Sequence, residues 1–269
     1  MSDLAIITVN YKSYLDTKDF IESFAHQTIK NFRIYIIDVT PSPEPIASHA
    51  KITVIHAENK GYAYGLNTGL RVAMQDECVQ FACLNNDTRV SRDFVKKATE
   101  SIEIYPASLI GGKIYYEKGY EYHKDRYQKS ELGKVLWYAG GILDWKNALT
   151  LHRGVDEVDF GQYDTREETQ FVTGCLMCFD KGLIDKAGMI DESYFLYYED
   201  ADWCERIKRA KLHLYYDPGI VIFHKNAQST GGAGSALHAD YQKKNRLRFG
   251  LKYAPLKTKL HLLKQAILH

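Results

Sequence analysis

Four short apolar runs, each leading to a polar strand end, constrain this chain more than any other feature. Leu4-Ala5-Ile6-Ile7-Thr8-Val9 leads into Asn10, and Arg33 to Ile37 leads into Asp38. Ile52-Thr53-Val54-Ile55 is followed by Asn59-Lys60-Gly61, and Val79 to Leu84 by Asn85-Asn86-Asp87. Unbroken apolar runs of this length suit strands buried on both faces. Between them lie helical patterns. Phe20, Ile21 and Phe24 recur at helical spacing, and Tyr62 to Met74 reads as a helix. Phe94, Val95, Ala98 and Ile102 form an apolar stripe that Ser91 can cap. Pro41, Pro43 and Pro45 exclude regular structure after Asp38. This βαβ order predicts an α/β fold: a Rossmann-like, mostly parallel central sheet with helices on both faces.

The second half is less regular. Glu117 to Lys134 reads as a polar, tyrosine-rich surface excursion, Trp137 to Leu143 as a strand, and His152 to Thr169 as an acidic loop. Phe171 to Phe179 reads as a buried strand and Glu199 to Ala210 as a helix. Leu212 to Tyr216 and Ile220 to His224 read as short strands, and Ser229 to Ser235 as a glycine-rich loop. Two basic helices close the chain. With no repeat and no low-complexity linker, the expected organisation is one domain over residues 1–250. Residues 1–115 form its nucleotide half and 116–250 its acceptor half, and a basic amphipathic helix occupies 251–269.

Charge is unevenly spread. Net charge is +1, but Tyr241 to His269 holds eight Lys/Arg and no Asp/Glu. Leu256, Leu260, Leu263 and Ile267 fall on one helical stripe, with Lys257, Lys259 and Lys264 elsewhere. Such a helix either lies on an anionic membrane surface or packs on the body or a second subunit. The basic tail is short and lacks a nucleic-acid recognition module. No apolar run reaches the ~18 residues of a membrane-spanning helix. Met1-Ser2-Asp3 enters a strand with no basic region, so no signal peptide is expected. The five cysteines lack paired metal spacing and read as reduced thiols. The expected location is cytoplasmic, with peripheral attachment to the inner face of the plasma membrane if the helix binds lipid.

The chemistry-bearing residues gather where such a sheet binds ligands, beyond the carboxyl ends of its strands. Each strand-end residue alone also reads as a turn or helix cap. Gly61, Gly65 and Gly69 share a helical face, for approach to a ligand or for close helix–sheet packing. The spacing matches neither the phosphate loop that ends in Lys-Ser/Thr nor the dinucleotide fingerprint. Asp87 is a candidate ligand for Mg²⁺ or Mn²⁺, which take few protein carboxylates and complete their shell with water and phosphate oxygens; it also suits an Asx-turn. His224, at a strand end, is either a further ligand or structural. Glu199, Asp200 and Asp202 open a helix behind the aromatic run Tyr194-Phe195-Leu196-Tyr197-Tyr198. Acidic capping explains one or two of the three. An aromatic-walled carboxylate there suits a general base for a sugar hydroxyl.

Taken together, these pieces resemble the glycosyltransferase family 2 enzymes, in the rhamnosyltransferase-like branch that builds bacterial surface polysaccharides. The matching stretches are Thr8-Val9-Asn10-Tyr11, Asn59-X-Gly61 with Gly65-X-Asn67-X-Gly69, and Leu84-Asn85-Asn86-Asp87-Thr88. Further on come Gly140-Gly141, Thr173-Gly174-Cys175, Phe195 to Asp202, Tyr216-X-Pro218 with His224, and Asn245-Arg246. The resemblance implies a GT-A fold and inverting transfer from a nucleotide-diphosphate sugar, dTDP-rhamnose or a UDP-hexose, to a glycan or polyprenyl-diphosphate-linked acceptor. It implies that Thr8, Val9, Asn10 and Asp38 hold the base and ribose, and that Asn59, Gly61 and Asn67 line the nucleotide pocket. Asn86 and Asp87 would stand at the Asp-X-Asp metal site, with His224 as the later ligand of Mn²⁺ or Mg²⁺. Asp200 would be the base, supported by Glu199 and Asp202, while Gly141, Gly174 and Trp203 border sugar and acceptor. Two departures stand out: Asn85 replaces the first acid of Asp-X-Asp, and Val39-Thr40 and prolines follow Asp38 where the family has a small polar turn. The competing readings are a sugar nucleotidyltransferase and a non-catalytic nucleotide-sugar-binding scaffold. The first normally carries an N-terminal glycine-rich loop with a basic residue, absent around Asn10 to Asp16.

Overall fold

The computed structural model describes residues 3–46, 50–226 and 236–268. The glycine-rich segment Ser229 to Ser235 lies outside the described residues. The first half follows the expected alternation: β1 (Leu4–Asn10), α1 (Tyr14–Ser23), β2 (Phe32–Asp38), β3 (Ile52–His56), α2 (Tyr62–Gln75) and β4 (Gln80–Leu84). Then come β5 (Thr88–Val90), α3 (Phe94–Ile104) and β6 (Leu109–Tyr116). The second half adds β7 (Leu136–Tyr138), β8 (Gly141–Asp144), β9 (Leu149–His152), β10 (Glu167–Glu168) and β11 (Leu176–Asp180). It ends with α4 (Lys181–Ala187), α5 (Glu199–Arg209), β12 (Leu214–His224), α6 (Ala236–Tyr253) and α7 (Leu256–Leu268).

One sheet runs in the order β10-β12-β6-β11-β4-β1-β2-β3, while β8 and β9 pair separately. β1, β2, β3 and β4 are mutually parallel, as are β6 and β12; β11 runs antiparallel between the two parallel blocks. All seven residues of β1 are buried, which explains its unbroken apolar run. Phe20, Phe24, Phe32 and Phe94 form one aromatic cluster that ties α1 and α3 to β2. Each such buried ring contributes roughly 1.5–3 kcal/mol.

Helix α2 lies close against the sheet because it carries glycines there. A Cβ on Gly65 would come within 2.7 Å of Val9 Cγ2, and one on Gly69 within 2.5 Å of Ile37 Cδ1. Those two glycines serve packing. Gly61 differs: its φ of +105° favours glycine, and its missing Cβ leaves room for the Phe195 carbonyl.

Three expectations change in the second half. Trp137 to Leu143 is two strands, split at Gly140, whose φ is +102°. The buried strand expected from Phe171 begins only at Leu176: Phe171 makes an isolated bridge to Gly141, and the chain turns at Gly174-Cys175. The two expected strands before His224 are one, β12, with an irregularity between Asp217 and Val221 where Pro218 and Gly219 interrupt the register. At the C-terminus, residue 251 falls inside α6, and α7 starts after Pro255.

Candidate active site

The carboxyl ends of β1, β2 and β4 meet at a buried polar hub. Asn10 Nδ2 donates to Asp38 Oδ1 at 3.0 Å, and Asn10 Oδ1 accepts from Thr17 Oγ1 and Asn86 Nδ2. Asp38 also accepts from the Tyr14 hydroxyl and the Thr40 backbone N–H. Above this hub opens a cavity of about 580 Å³. Its floor includes Val9, Asn85, Asn86 and Asp87, and its rim includes Asn59 and Gly61. Tyr62 holds the floor in place: its hydroxyl donates to Asn85 Oδ1 at 2.8 Å and lies 3.2 Å from the Gly174 carbonyl. Burial pushes the Tyr62 hydroxyl well up, which keeps it a donor.

Strand pairing brings the next two groups together. β5 and β12 run antiparallel with Thr88 opposite His224. Asp87, one residue before Thr88, therefore faces the imidazole, and His224 Nε2 lies 3.2 Å from Asp87 Oδ1. Both residues are buried, and among the described residues neither ring nitrogen of His224 has a hydrogen-bond partner. Trp137 packs edge-on against both His224 and His152. Burial pushes His152 down to about 4, so its imidazole is neutral. One carboxylate oxygen and one imidazole nitrogen fit a divalent cation that takes its other ligands from a diphosphate and water. Among the described residues, no group of three or more His, Cys, Asp or Glu could hold a metal on protein ligands alone.

The opposite wall is the start of α5. Tyr197 and Tyr198 are both left-handed, with φ of 66° and 69°. Two such bulky residues in succession are costly, and several contacts hold them. Asn245 Nδ2 on α6 donates to the carbonyls of Leu196 and Tyr197, and the Tyr198 hydroxyl donates to the Ala148 carbonyl. The turn places Glu199 and Asp200 on the cavity wall. Asp200 accepts from the Gly174 N–H at Oδ2 and from the Ala201 N–H at Oδ1, both at 2.8 Å. Among the described residues, Glu199 Oε2 has no hydrogen-bond partner. Burial raises both carboxyls, and the neighbouring Asp200 charge helps to push Glu199 up to about 8. Two backbone donors favour the ionised form of Asp200. Of the pair, Glu199 is the one pushed furthest towards its protonated form, while the Gly174 and Ala201 donors oppose the rise at Asp200.

Several residues expected at the site serve elsewhere. Asp202 is fully buried away from the cavity, where it meets Arg206, Lys252, Tyr253 and Tyr194. Trp203 is buried against Phe179 and donates to the Gly188 carbonyl. Asn67 turns its amide to Ile190 and Glu192, bracing that loop instead of lining the pocket. Gly141 packs against Phe171, where a Cβ would sit 2.4 Å from the carbonyl oxygen. Thr8 is buried within β1, and Asn10 and Asp38 lie beneath the wall in the hub. Tyr62, Trp137, His152, Tyr241 and Gln242 line the cavity but were not singled out from sequence. Tyr62 adjoins Gly61 in a noted motif; the others carry no spacing that marks them.

The fold and sequence have known counterparts. A GalNAc-T7 structure with UDP, GalNAc and Mn²⁺ superposes with a TM-score of 0.64 at 11% identity, over 94% of this chain and 48% of that one. The mannosyltransferase PcManGT from Pyrobaculum calidifontis, in complex with GDP-Man and Mn²⁺, gives 0.54 at 15% identity, over 99% of this chain and 69% of that one. The fold is accordingly of the GT-A type. In sequence, the low-salt glycan biosynthesis hexosyltransferase Agl10 of Haloferax volcanii is 23% identical over 80% of this chain. The dTDP-rhamnosyl transferase RfbF of Shigella flexneri is 21% identical over 71% of it. The matches span 64% and 58% of those relatives' own lengths. Residues 5–183 match the model of glycosyl transferase family 2, from the polar hub through the Asp87 floor to Gly174, and the chain belongs to that family.

Proposed function

We propose that this protein transfers a hexose or deoxyhexose from a nucleotide-diphosphate sugar, dTDP-rhamnose or a UDP-hexose, to a glycan or lipid-linked acceptor hydroxyl with inversion. The observation that carries this reading is one cavity with a backbone-held Asp200 on one wall and the Asp87–His224 pair on its floor. Asp87 and His224 would hold Mn²⁺ or Mg²⁺, which when bound neutralises charge on the diphosphate leaving group. Asp200 takes the proton of the acceptor hydroxyl as its oxygen bonds to the anomeric carbon. The bond from that carbon to the diphosphate breaks, and the nucleoside diphosphate leaves with the electron pair. Val9, Asn59 and Gly61 would line the nucleotide, supported from below by Asn10 and Asp38. Trp137 and the aromatic turn before Glu199 would wall off water and present flat apolar faces to a sugar.

The experiment is thermal stability with UDP-, dTDP- and GDP-sugars, each with and without Mn²⁺. A ligand at about 100 times its Kd stabilises the native state by ~2.7 kcal/mol. A Mn²⁺-dependent rise with one nucleotide, followed by acceptor-dependent release of its diphosphate, is the expected result. Well-folded protein that responds to none of the donors would overturn the reading.

A further inference from the structure

Helix α7 turns its most apolar face away from the protein. Leu256, Leu260, Leu263 and Ile267 are 73%, 60%, 42% and 83% exposed. At 100° per residue these four fall within an arc of about 60°. The helix is anchored by a different edge. Leu262 is buried against Gly250, and Thr258 Oγ1 donates to the Trp145 carbonyl at 2.8 Å. Those contacts fix the helix orientation, so the leucine stripe faces outward by construction and not by fraying.

The charges around the stripe are one-sided in sign and two-sided in position. Lys259 flanks it on one side, and Lys257 and Lys264 on the other, each within about 80° of its edge. No acidic residue occurs between Tyr241 and His269. A stripe meant for a second protein surface would need neither the basic border nor the absence of acid. An apolar strip between lysines fits the boundary between acyl chains and anionic headgroups, with the lysine stems running up to the phosphates. Among the described residues, no helix is long and apolar enough to cross a membrane.

We infer that α7 is a membrane-surface anchor that lies in the plane of an anionic bilayer with Leu256, Leu260, Leu263 and Ile267 inserted. The inference does not depend on the transferase reading. It would keep the protein at a lipid surface, where an acceptor carried on a lipid is delivered in two dimensions.

The test is flotation of the full chain with phosphatidylcholine vesicles, with and without ~30% phosphatidylglycerol, while light scattering reports its oligomeric state. Binding to the anionic vesicles and not to the neutral ones is expected, weakening as salt is raised. Replacing Lys257, Lys259 and Lys264 by Gln should lower the partition coefficient on the order of 10²-fold. Leu260→Glu should abolish binding. Leu260, Lys257 and Lys264 are exposed and Lys259 is half-buried, so both variants should keep the unfolding midpoint and any donor-induced shift, which separates loss of anchoring from loss of the catalytic site. A monomer that ignores anionic vesicles would overturn the inference. So would a dimer that Leu260→Glu dissociates and that never binds vesicles, because a second copy would then cover the stripe.

Discussion

The backbone N–H of Gly174 donates to Asp200 Oδ2 at 2.8 Å, across 26 residues of sequence. That bond joins the turn before β11 to the first turn of α5 and aims one carboxylate into the cavity. Asp200→Asn keeps an oxygen acceptor for Gly174 but removes the base. Donor binding, read as the ligand-induced rise in midpoint, should persist while transfer falls by a factor of about 10² to 10⁴. Near-normal turnover in this variant would remove Asp200 from the role.

The neighbouring Glu199 makes stability depend on pH. Its folded pKa, about 8, stands above the usual carboxyl value of 4.5. Between those values the native state binds more protons than the unfolded chain, so stability falls as pH rises through this window. Glu199→Gln should flatten that fall, with a gain on the order of a few kcal/mol at the alkaline end. Unfolding midpoints at pH 5 and pH 9 test it; parallel pH curves for variant and parent would rule it out.

Asp202 should behave in the opposite way to Asp200. It is fully buried between Arg206 and Lys252, with Tyr253 also donating to it. Its loss removes the buried carboxylate that half-buried Arg206 and exposed Lys252 share, although Arg206 keeps the Ala187 and Met189 carbonyls and Lys252 keeps Asp191. Asp202→Ala should destabilise by roughly 1.5–3 kcal/mol, measured by denaturant unfolding. A stable variant that has lost only turnover would return Asp202 to the catalytic group.

Asp87 and His224 should act as one unit. Asp87→Asn and His224→Ala should each remove the Mn²⁺-dependent part of the donor-induced stabilisation, and the double variant should lose little more than either single one. Titration calorimetry with a nucleoside diphosphate and Mn²⁺ measures this directly. Additive losses would mean that the two residues serve separate purposes.

Asn10 illustrates how far strand-end polarity could be read. Its position after β1 was legible as a ligand-side residue, yet its carboxamide is spent on Asp38, Thr17 and Asn86. The sequence marked the correct rim of the sheet but not which polar groups support it and which line it. The same holds for Gly65 and Gly69: their common face was readable, and only the approach of Val9 and Ile37 decided for packing. Trp137 in β7 and His152 at the end of β9 carry no periodicity that marks them, because strands of three and four residues are too short to show one.

By itself, the sequence determined the alternation of buried strands and helices, the polar residues at the strand ends, and an acidic helix start behind an aromatic run. Those features follow from local periodicity and capping chemistry, which neighbours in sequence dictate. Tertiary structure alone decided that Asp200 and not Asp202 meets the cavity. Two residues apart on a helix point about 200° apart, and the docking of α6 buries one side while the left-handed Tyr197–Tyr198 turn opens the other. It also decided that Asp87 meets His224, because only the antiparallel pairing of β5 with β12 brings these distant residues into register.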